Sequence, residues 1–276
     1  MIGASGFLGS RLLALAPRDM DLVGTGQRRP VREGPWRQRV LDVTSASAVR
    51  ALVQAERPEA VFYVAYHKSD PAITVDGARV AAMAAAKAHA RFVFTSTDLV
   101  FDGRTGRYAE DAPLGPTMTY GALKVEAEAH VRDAHPQAII VRPALMAGES
   151  GSMLRPAYEC GTLERGEPVD LFTDEWRTPV HVDDVARACW ELAARDIAGV
   201  FHIGGPQRLS RFELGEVLCR VHGFDRALLR PAPRPPGRPR DTSLDSSRIT
   251  AFLDWAPRPV EDALVLWLDE LPPRAT

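Results

Sequence analysis

Met1–Ala16, MIGASGFLGSRLLALA, sets Gly3, Gly6 and Gly9 three residues apart directly ahead of an amphipathic helix. Glycine lets the backbone approach a pyrophosphate closely, and the free N–H groups of a helix N-terminus then meet the phosphate charge. Ser5, Phe7 and Leu8 lie in the same loop and first turn, so all six residues are candidate dinucleotide contacts. A plain turn before a helix has the same spacing, and the motif gains its weight from the strands and helices next in the chain. A dinucleotide fold would place a strand of about five or six residues before the first glycine. Only Met1 and Ile2 stand there. The expectation is therefore either that the natural chain starts further upstream or that the sheet is damaged at its middle.

Outward from this stretch, strands and helices alternate. Met20–Thr25 reads as a strand ending in Gly26, Gln27, Arg28 and Arg29, with no acid for a ribose 2′-hydroxyl. Arg28 and Arg29 suit a 2′-phosphate, which favours NADP(H) with NAD(H) as second choice; two solvated loop charges are the plain alternative. Arg39–Val43 reads as a short strand and Thr44 as the cap of a helix to Glu56. Asp42 and Val43 are candidates for the adenine end, Asp42 equally for a turn. Glu59–Ala65, EAVFYVA, is apolar on both faces, as a buried parallel strand requires, and brings Ala65 and Tyr66 over the expected cofactor. Pro71 opens a helix rich in alanine. Arg91–Thr95 is the next strand, Thr117–Ala134 a helix, and Gln137–Val141 a strand leading to Arg142 and Pro143. Such alternation predicts an α/β fold, a doubly wound parallel sheet with ligands at the strand C-termini.

After Pro143 the rhythm changes. A helix is expected over Met153–Arg165 and a strand over Val169–Phe172, followed by Trp176 and Arg177. Strands near Val180 and at Gly199–Ile203 are expected to rejoin the main sheet. A helix from Ser210 to His222 precedes RPAPRPPGRPRDTSLD, where proline excludes helix. This segment is read as an ordered loop over the cleft, with Arg234, Arg238 and Arg240 facing an anion such as a diphosphate; a solvated face is the alternative. The expected division is a dinucleotide-binding domain from 1–147 and 178–205, and a smaller α/β substrate-binding lobe from 148–177 and 206–276.

Ser96–Lys124, STDLVFDGRTGRYAEDAPLGPTMTYGALK, runs from a strand end into a helix. Tyr120 and Lys124 are four residues apart and share a helix face. A nearby ammonium favours the phenolate, which would move Tyr120 toward a range useful for proton transfer. Thr97 can offer a hydroxyl to a carbonyl oxygen that takes the Tyr120 proton. With five Tyr in the chain the spacing alone is weak, but of 34 Lys and Arg residues only Lys68, Lys87 and Lys124 are lysines. A lysine retained there points to a need for a compact, tunable charge.

The chain has 276 residues, 45% hydrophobic and 25% charged, with a formal charge of −2. That balance gives no bulk attraction to nucleic acid or to an anionic membrane. No apolar run reaches the roughly 20 residues of a membrane span, and a cytoplasmic location is expected. Cys160, Cys189 and Cys219 have no close metal-ligand spacing and read as reduced, buried thiols; no metal site is expected.

GASGFLG, STDLVFDG, YGALK, VHVDDVA, GVFHIGG and RPRDTSLD, in this order over nearly the whole chain, resemble the extended short-chain dehydrogenase/reductases, specifically the dTDP-4-dehydrorhamnose reductase family. The resemblance implies Thr97, Tyr120 and Lys124 as the catalytic set, with Lys124 also on the nicotinamide ribose and Pro143, with the loop after it, at the nicotinamide. It further implies a nucleotide-sugar substrate, NADP(H) or NAD(H), and a homodimer in some members. Substrate contacts expected on this basis are His67, Thr97, Asp98, Tyr120, Arg177 and Arg238. Leu99, where the family carries an aromatic, and Asp76, where a relay Asn is expected, are departures that bear on which sugar is accepted. Two other readings are a sugar-nucleotide epimerase or dehydratase, and a non-catalytic dinucleotide-binding subunit resembling the methionine adenosyltransferase β subunit.

Overall fold

The computed structural model describes residues 1–148 and 161–269. Its strands β1 (Val23–Gly26), β2 (Arg37–Val40), β3 (Ala60–Tyr63), β4 (Arg91–Thr95) and β5 (Ile139–Pro143), with Gly199–Ile203, form one parallel sheet. Its centre is held by two residues. Ile2 bridges Thr25 on one side and Tyr63 on the other, with Ile2 N donating to Phe62 O at 2.8 Å and Ala4 N to Thr25 O at 2.9 Å. The sheet is thus continuous through its middle, in the order β2, β1, Ile2, β3, β4, β5, Gly199–Ile203. The order reverses between β1 and β3, so the loop after Ile2 opens at a topological switch point.

Alternation along each strand builds the two faces. Phe62, Val93, Ile139, Val141, Phe201 and Ile203 face one way, against Leu8 and Leu12 of α1 (Phe7–Ala14) and against Val185, Ala188 and Leu192 of the Val182–Ala193 helix. Val61, Tyr63, Phe92, Phe94 and Ile140 face the other. There they meet α2 (Ala46–Glu56), α3 (Gly77–Lys87) and α4 (Thr119–Ala134), whose Ala78, Ala81, Ala85 and Ala127 allow close packing.

Helix α2 is capped by Ser45, whose side chain accepts from Ala48 N, and not by Thr44, whose hydroxyl is donated to Asp42 at 2.7 Å. Val180–His181 pairs with Met146–Ala147 outside the main sheet, so only Gly199–Ile203 rejoins it. The expected Met153–Arg165 helix lies in part outside the described residues, as does Cys160; Cys189 and Cys219 are buried free thiols.

Val169–Phe172 pairs in parallel with Leu229–Ala232, and Trp176–Arg177 antiparallel with Leu209–Ser210. The Arg211–His222 helix packs here, started by a Ser210 and Glu213 capping box, with its Cys219 against Leu171 and Leu229. Pro231 sits in a short two-stranded ladder, where a missing donor costs little. The rest of the Pro/Arg segment is tied down by Arg234 N to Asp174 at 2.7 Å and Asp241 N to Gly103 O at 3.0 Å. Among the described residues no helix is long and apolar enough to cross a membrane.

Candidate active site

Gly3 takes φ +93°, and a Cβ there would lie 2.6 Å from Ala65 N. A Cβ on Gly9 would stand 2.3 Å from Gly3 O and 2.8 Å from Ala4 Cα, so α1 rests on the loop at a distance that only hydrogen permits. Gly6 is different: its φ is −86° and its added Cβ would meet Gly3 O at 3.2 Å. It is the N-cap of α1, which has neither a side-chain cap nor an acid in its first turn. The helices starting after Ser45, His181 and Ser210 have a side-chain cap, while α3 and α4, like α1, have none. An uncapped helix end at a sheet switch point fits an anion such as a pyrophosphate. Phe7 and Leu8 supply its first N–H groups, and Ser5 Oγ lies 3.3 Å from the Cβ position of Gly26.

Around this loop, Arg28 and Arg29 are exposed just past β1. Asp42 accepts from Thr44 Oγ1 and N at 2.7 and 2.9 Å, and these bonds, with Arg28 adding to them, hold its carboxyl below the usual range. It therefore closes a strand-end turn. Val43 is buried, and Pro143 is buried at the end of β5 opposite Ile203. Tyr66 is 47% exposed, and its phenol is pushed up by burial while Arg29 pulls it down.

Gly121 brings α4 onto the end of β4, since a Cβ there would lie 2.1 Å from Leu99 O. This contact sets the start of α4, with Tyr120 and Lys124, against the turn after β4 that Thr97 opens. Lys124 is buried, donates from Nζ to Thr95 O at 2.6 Å, and lies 5.9 Å from the Tyr120 ring centre, 5.7 Å from that of Tyr66 and 4.6 Å from that of Phe94. The Tyr66 and Tyr120 rings are 5.4 Å apart. The electrostatics run opposite to the expectation from spacing. Burial pulls Lys124 down to about 7 against the charge of Glu128, while burial, Tyr66 and Asp98 push Tyr120 well above its ordinary value. A cation that is itself desolvated gives the phenolate little support. Thr97 Oγ1 accepts from Leu99 N at 3.3 Å and donates to Asp98 Oδ1 at 3.2 Å.

A family model described as the RmlD substrate binding domain matches residues 1–272. The chain belongs to this family. A probable low-salt glycan biosynthesis reductase, Agl14, of Haloferax volcanii is 31% identical, covering 95% of this chain and 94% of the relative. A dTDP-4-keto-6-deoxy-D-glucose reductase of Streptomyces niveus is 33% identical over 84% of this chain and 81% of its own. In fold, the chain superimposes with TM-score 0.84 on a dTDP-4-dehydrorhamnose reductase of Bacillus anthracis solved with NADP, at 23% identity and 98% coverage of both chains. The RmlD family assignment carries the coarse activity, a sugar-nucleotide reductase.

Within this RmlD chain the charged residues expected at the substrate are tied to one another. Arg177 Nη1 donates to Asp98 Oδ2 at 2.6 Å, and its Nη2 donates to Glu175 Oε1 at 3.4 Å. Arg238 forks onto Glu175 at 2.6 and 2.9 Å. Arg177 and Asp98 are 5% and 2% exposed, so their charges balance each other inside the protein. Arg234 lies 3.4 Å from Asp174, and the exposed Arg240 stacks on Trp176 at 5.2 Å. His67 is exposed, its backbone N donating to Thr74 Oγ1 and its Nδ1 accepting from Ser69 N at 3.4 Å. Asp76 is a surface residue 3.8 Å from Arg79. Not anticipated was the buried group Ser96, Glu128 and Arg142 behind Lys124. Glu128 comes one helical turn after Lys124, a spacing visible in the sequence.

Proposed function

We propose that this protein is an NADP(H)-dependent reductase of a nucleotide-linked keto-sugar, with dTDP-4-dehydro-L-rhamnose the leading substrate and NAD(H) the second-choice cofactor. The observation that carries this reading is the Tyr120 and Lys124 pair, with the buried Lys124 bonded to Thr95 O at the end of β4, two residues before Thr97, on the switch-point side of the sheet that also holds the glycine loop. The relatives named as dTDP-sugar reductases support the substrate class, and a homologous fold solved with NADP supports the cofactor.

The bound dinucleotide would supply hydride to the sugar carbonyl carbon. Gly6 would admit its pyrophosphate on the loop that Gly3 and Gly9 let pack closely, Arg28 and Arg29 would meet a 2′-phosphate, and Ala65, Tyr66 and Pro143 would border the nicotinamide half. Tyr120, held protonated by burial, enters a reduction as the proton donor to the carbonyl oxygen. Leu99 N–H fixes one side of the Thr97 oxygen, so its hydroxyl hydrogen can turn from Asp98 to the same carbonyl. As charge develops on that oxygen, the Lys124 ammonium stabilises it in a site of low dielectric. The elements around Glu175 and the Pro/Arg segment would form the substrate lobe, with 148–177 and 206–276 as its bounds.

The test is a panel of nucleotide-linked keto-sugars assayed for NADPH and NADH oxidation, with Tyr120→Phe beside the native enzyme. Loss of about 10²- to 10⁴-fold in kcat with dinucleotide binding retained is expected; wild-type turnover by Tyr120→Phe would end the mechanism. A second reading is favoured by one comparison. The methionine adenosyltransferase 2 subunit beta of Danio rerio is 25% identical over 90% of this chain. A regulatory subunit of that kind would oxidise no NADPH with any sugar in the panel, and an epimerase would turn over without net oxidation.

A further inference from the structure

We propose that Glu128 is a positioning residue for this reaction: buried one turn beyond Lys124, its carboxylate holds the Lys124 amine in the charged form and anchors the strand end that carries Thr97. The inference rests on the catalytic roles proposed above for Thr97 and Lys124.

Glu128 is 0% exposed. Removing a carboxylate from water costs several kcal/mol even after relaxation, so its place needs compensation. Arg142 provides it through a two-pronged contact, Nε to Oε1 at 2.9 Å and Nη2 to Oε2 at 2.7 Å, and Ser96 Oγ adds a bond to Oε1 at 2.5 Å. Ser96 lies between Thr95 and Thr97, and its N–H donates to Val141 O at 2.7 Å. Two consecutive residues are thereby fixed to one helix stripe, Thr95 O to Lys124 and Ser96 to Glu128, and Thr97 is next in line. Tyr120, Lys124 and Glu128 succeed one another at four-residue intervals on that stripe.

The charges around the amine are few. The phenols of Tyr120 and Tyr66 lie on its groove side, and Asp98 comes after Thr97 but is paired with Arg177. Behind it stand Glu128, then Arg142, with His202 Nε2 3.3 Å from Arg142 Nη1. Arg132 Nη2 approaches Glu128 Oε2 from the helix at 3.7 Å. Glu128 is thus the anion on the Lys124 stripe, and Arg142 lies beyond it. Neutralising Glu128 alone would leave Arg142 a buried cation without its carboxylate.

The chain has only three lysines, so protein labelled with ¹³C-lysine gives three ε-carbon signals, and Lys124→Met assigns one of them. In native protein the Lys124 signal should titrate near neutral pH. In Glu128→Gln its midpoint should fall by about one pH unit or more, and the alkaline limb of kcat should move down with it. Glu128→Asp, which keeps the charge, should return the midpoint to within about 0.3 units of the native one, on the same reasoning. An unchanged midpoint in Glu128→Gln overturns the proposal. If that variant does not fold, Glu128→Gln/Arg142→Gln, which leaves no lone buried cation, replaces it. Its midpoint should also fall, because the charge that opposes desolvation at Lys124 is that of Glu128, and a midpoint at or above the native value is the overturning result. The titration needs no substrate, so an enzyme inactive on every sugar would count against the proposed reaction and leave this readout standing.

Discussion

Gly9→Ala and Gly6→Ala separate the two tasks of the glycine loop. At Gly9 the new methyl would stand 2.3 Å from Gly3 O and 2.8 Å from Ala4 Cα, both backbone atoms that no rotamer change can move. Normal contact requires about 1 Å more, and overpacking of this kind costs about 1–3 kcal/mol, occasionally more. The helix preference of alanine returns at most about 1 kcal/mol. A net loss of about 2 kcal/mol, at about 2–4 °C per kcal/mol in a chain of this size, lowers Tm by about 4–8 °C. Gly6→Ala meets one carbonyl at 3.2 Å with φ −86°, which alanine adopts freely, so its Tm should stay within about 2 °C of native. Its methyl instead crowds the point where backbone must approach pyrophosphate, and NADPH affinity should fall about tenfold or more. Scanning calorimetry and NADPH titration calorimetry on both variants give the answer. Equal Tm losses in the two, or a Gly9→Ala protein as stable as native, would refute the assignment of packing to one glycine and ligand approach to the other.

Arg29→Ala should raise KM for NADPH about 10-fold or more and leave KM for NADH nearly unchanged, the loss expected for one charge-assisted contact to a 2′-phosphate; equal effects on both cofactors would count against that contact. Arg177→Met leaves Asp98 and Glu175 buried without their shared cation, and a loss of about 3–5 kcal/mol should appear in urea unfolding. His202 is fully buried, and burial, with Arg142 beside it, pulls it down to about 4. A histidine depressed in the fold takes up its proton on unfolding, so its stabilising effect is complete above about pH 6.5 and is lost as pH falls toward 4, by about 3 kcal/mol at most. Urea melts at about pH 7, 5.5 and 4.5 should show this acid limb flattened in His202→Gln; an identical slope in both proteins would sink the account.

Local periodicity was enough to read most elements. The Arg91–Thr95, Val169–Phe172 and Gly199–Ile203 strands and the helix through Tyr120 and Lys124 arise from two-residue and 3.6-residue patterns, because each depends on neighbours along the chain. The same is true of the glycine spacing ahead of α1. What the chain order cannot contain is who covers whom. Arg177 meets Asp98 across 79 residues of sequence, Arg238 meets Glu175 across 63, and Val180–His181 finds Met146–Ala147 instead of the main sheet. The protonation of the Tyr120 and Lys124 pair belongs to this second kind. Spacing alone places an amine near a phenol, but desolvation by the packed groove acts on both groups and on the charged form of each, so only the folded surroundings decide which of them holds its proton.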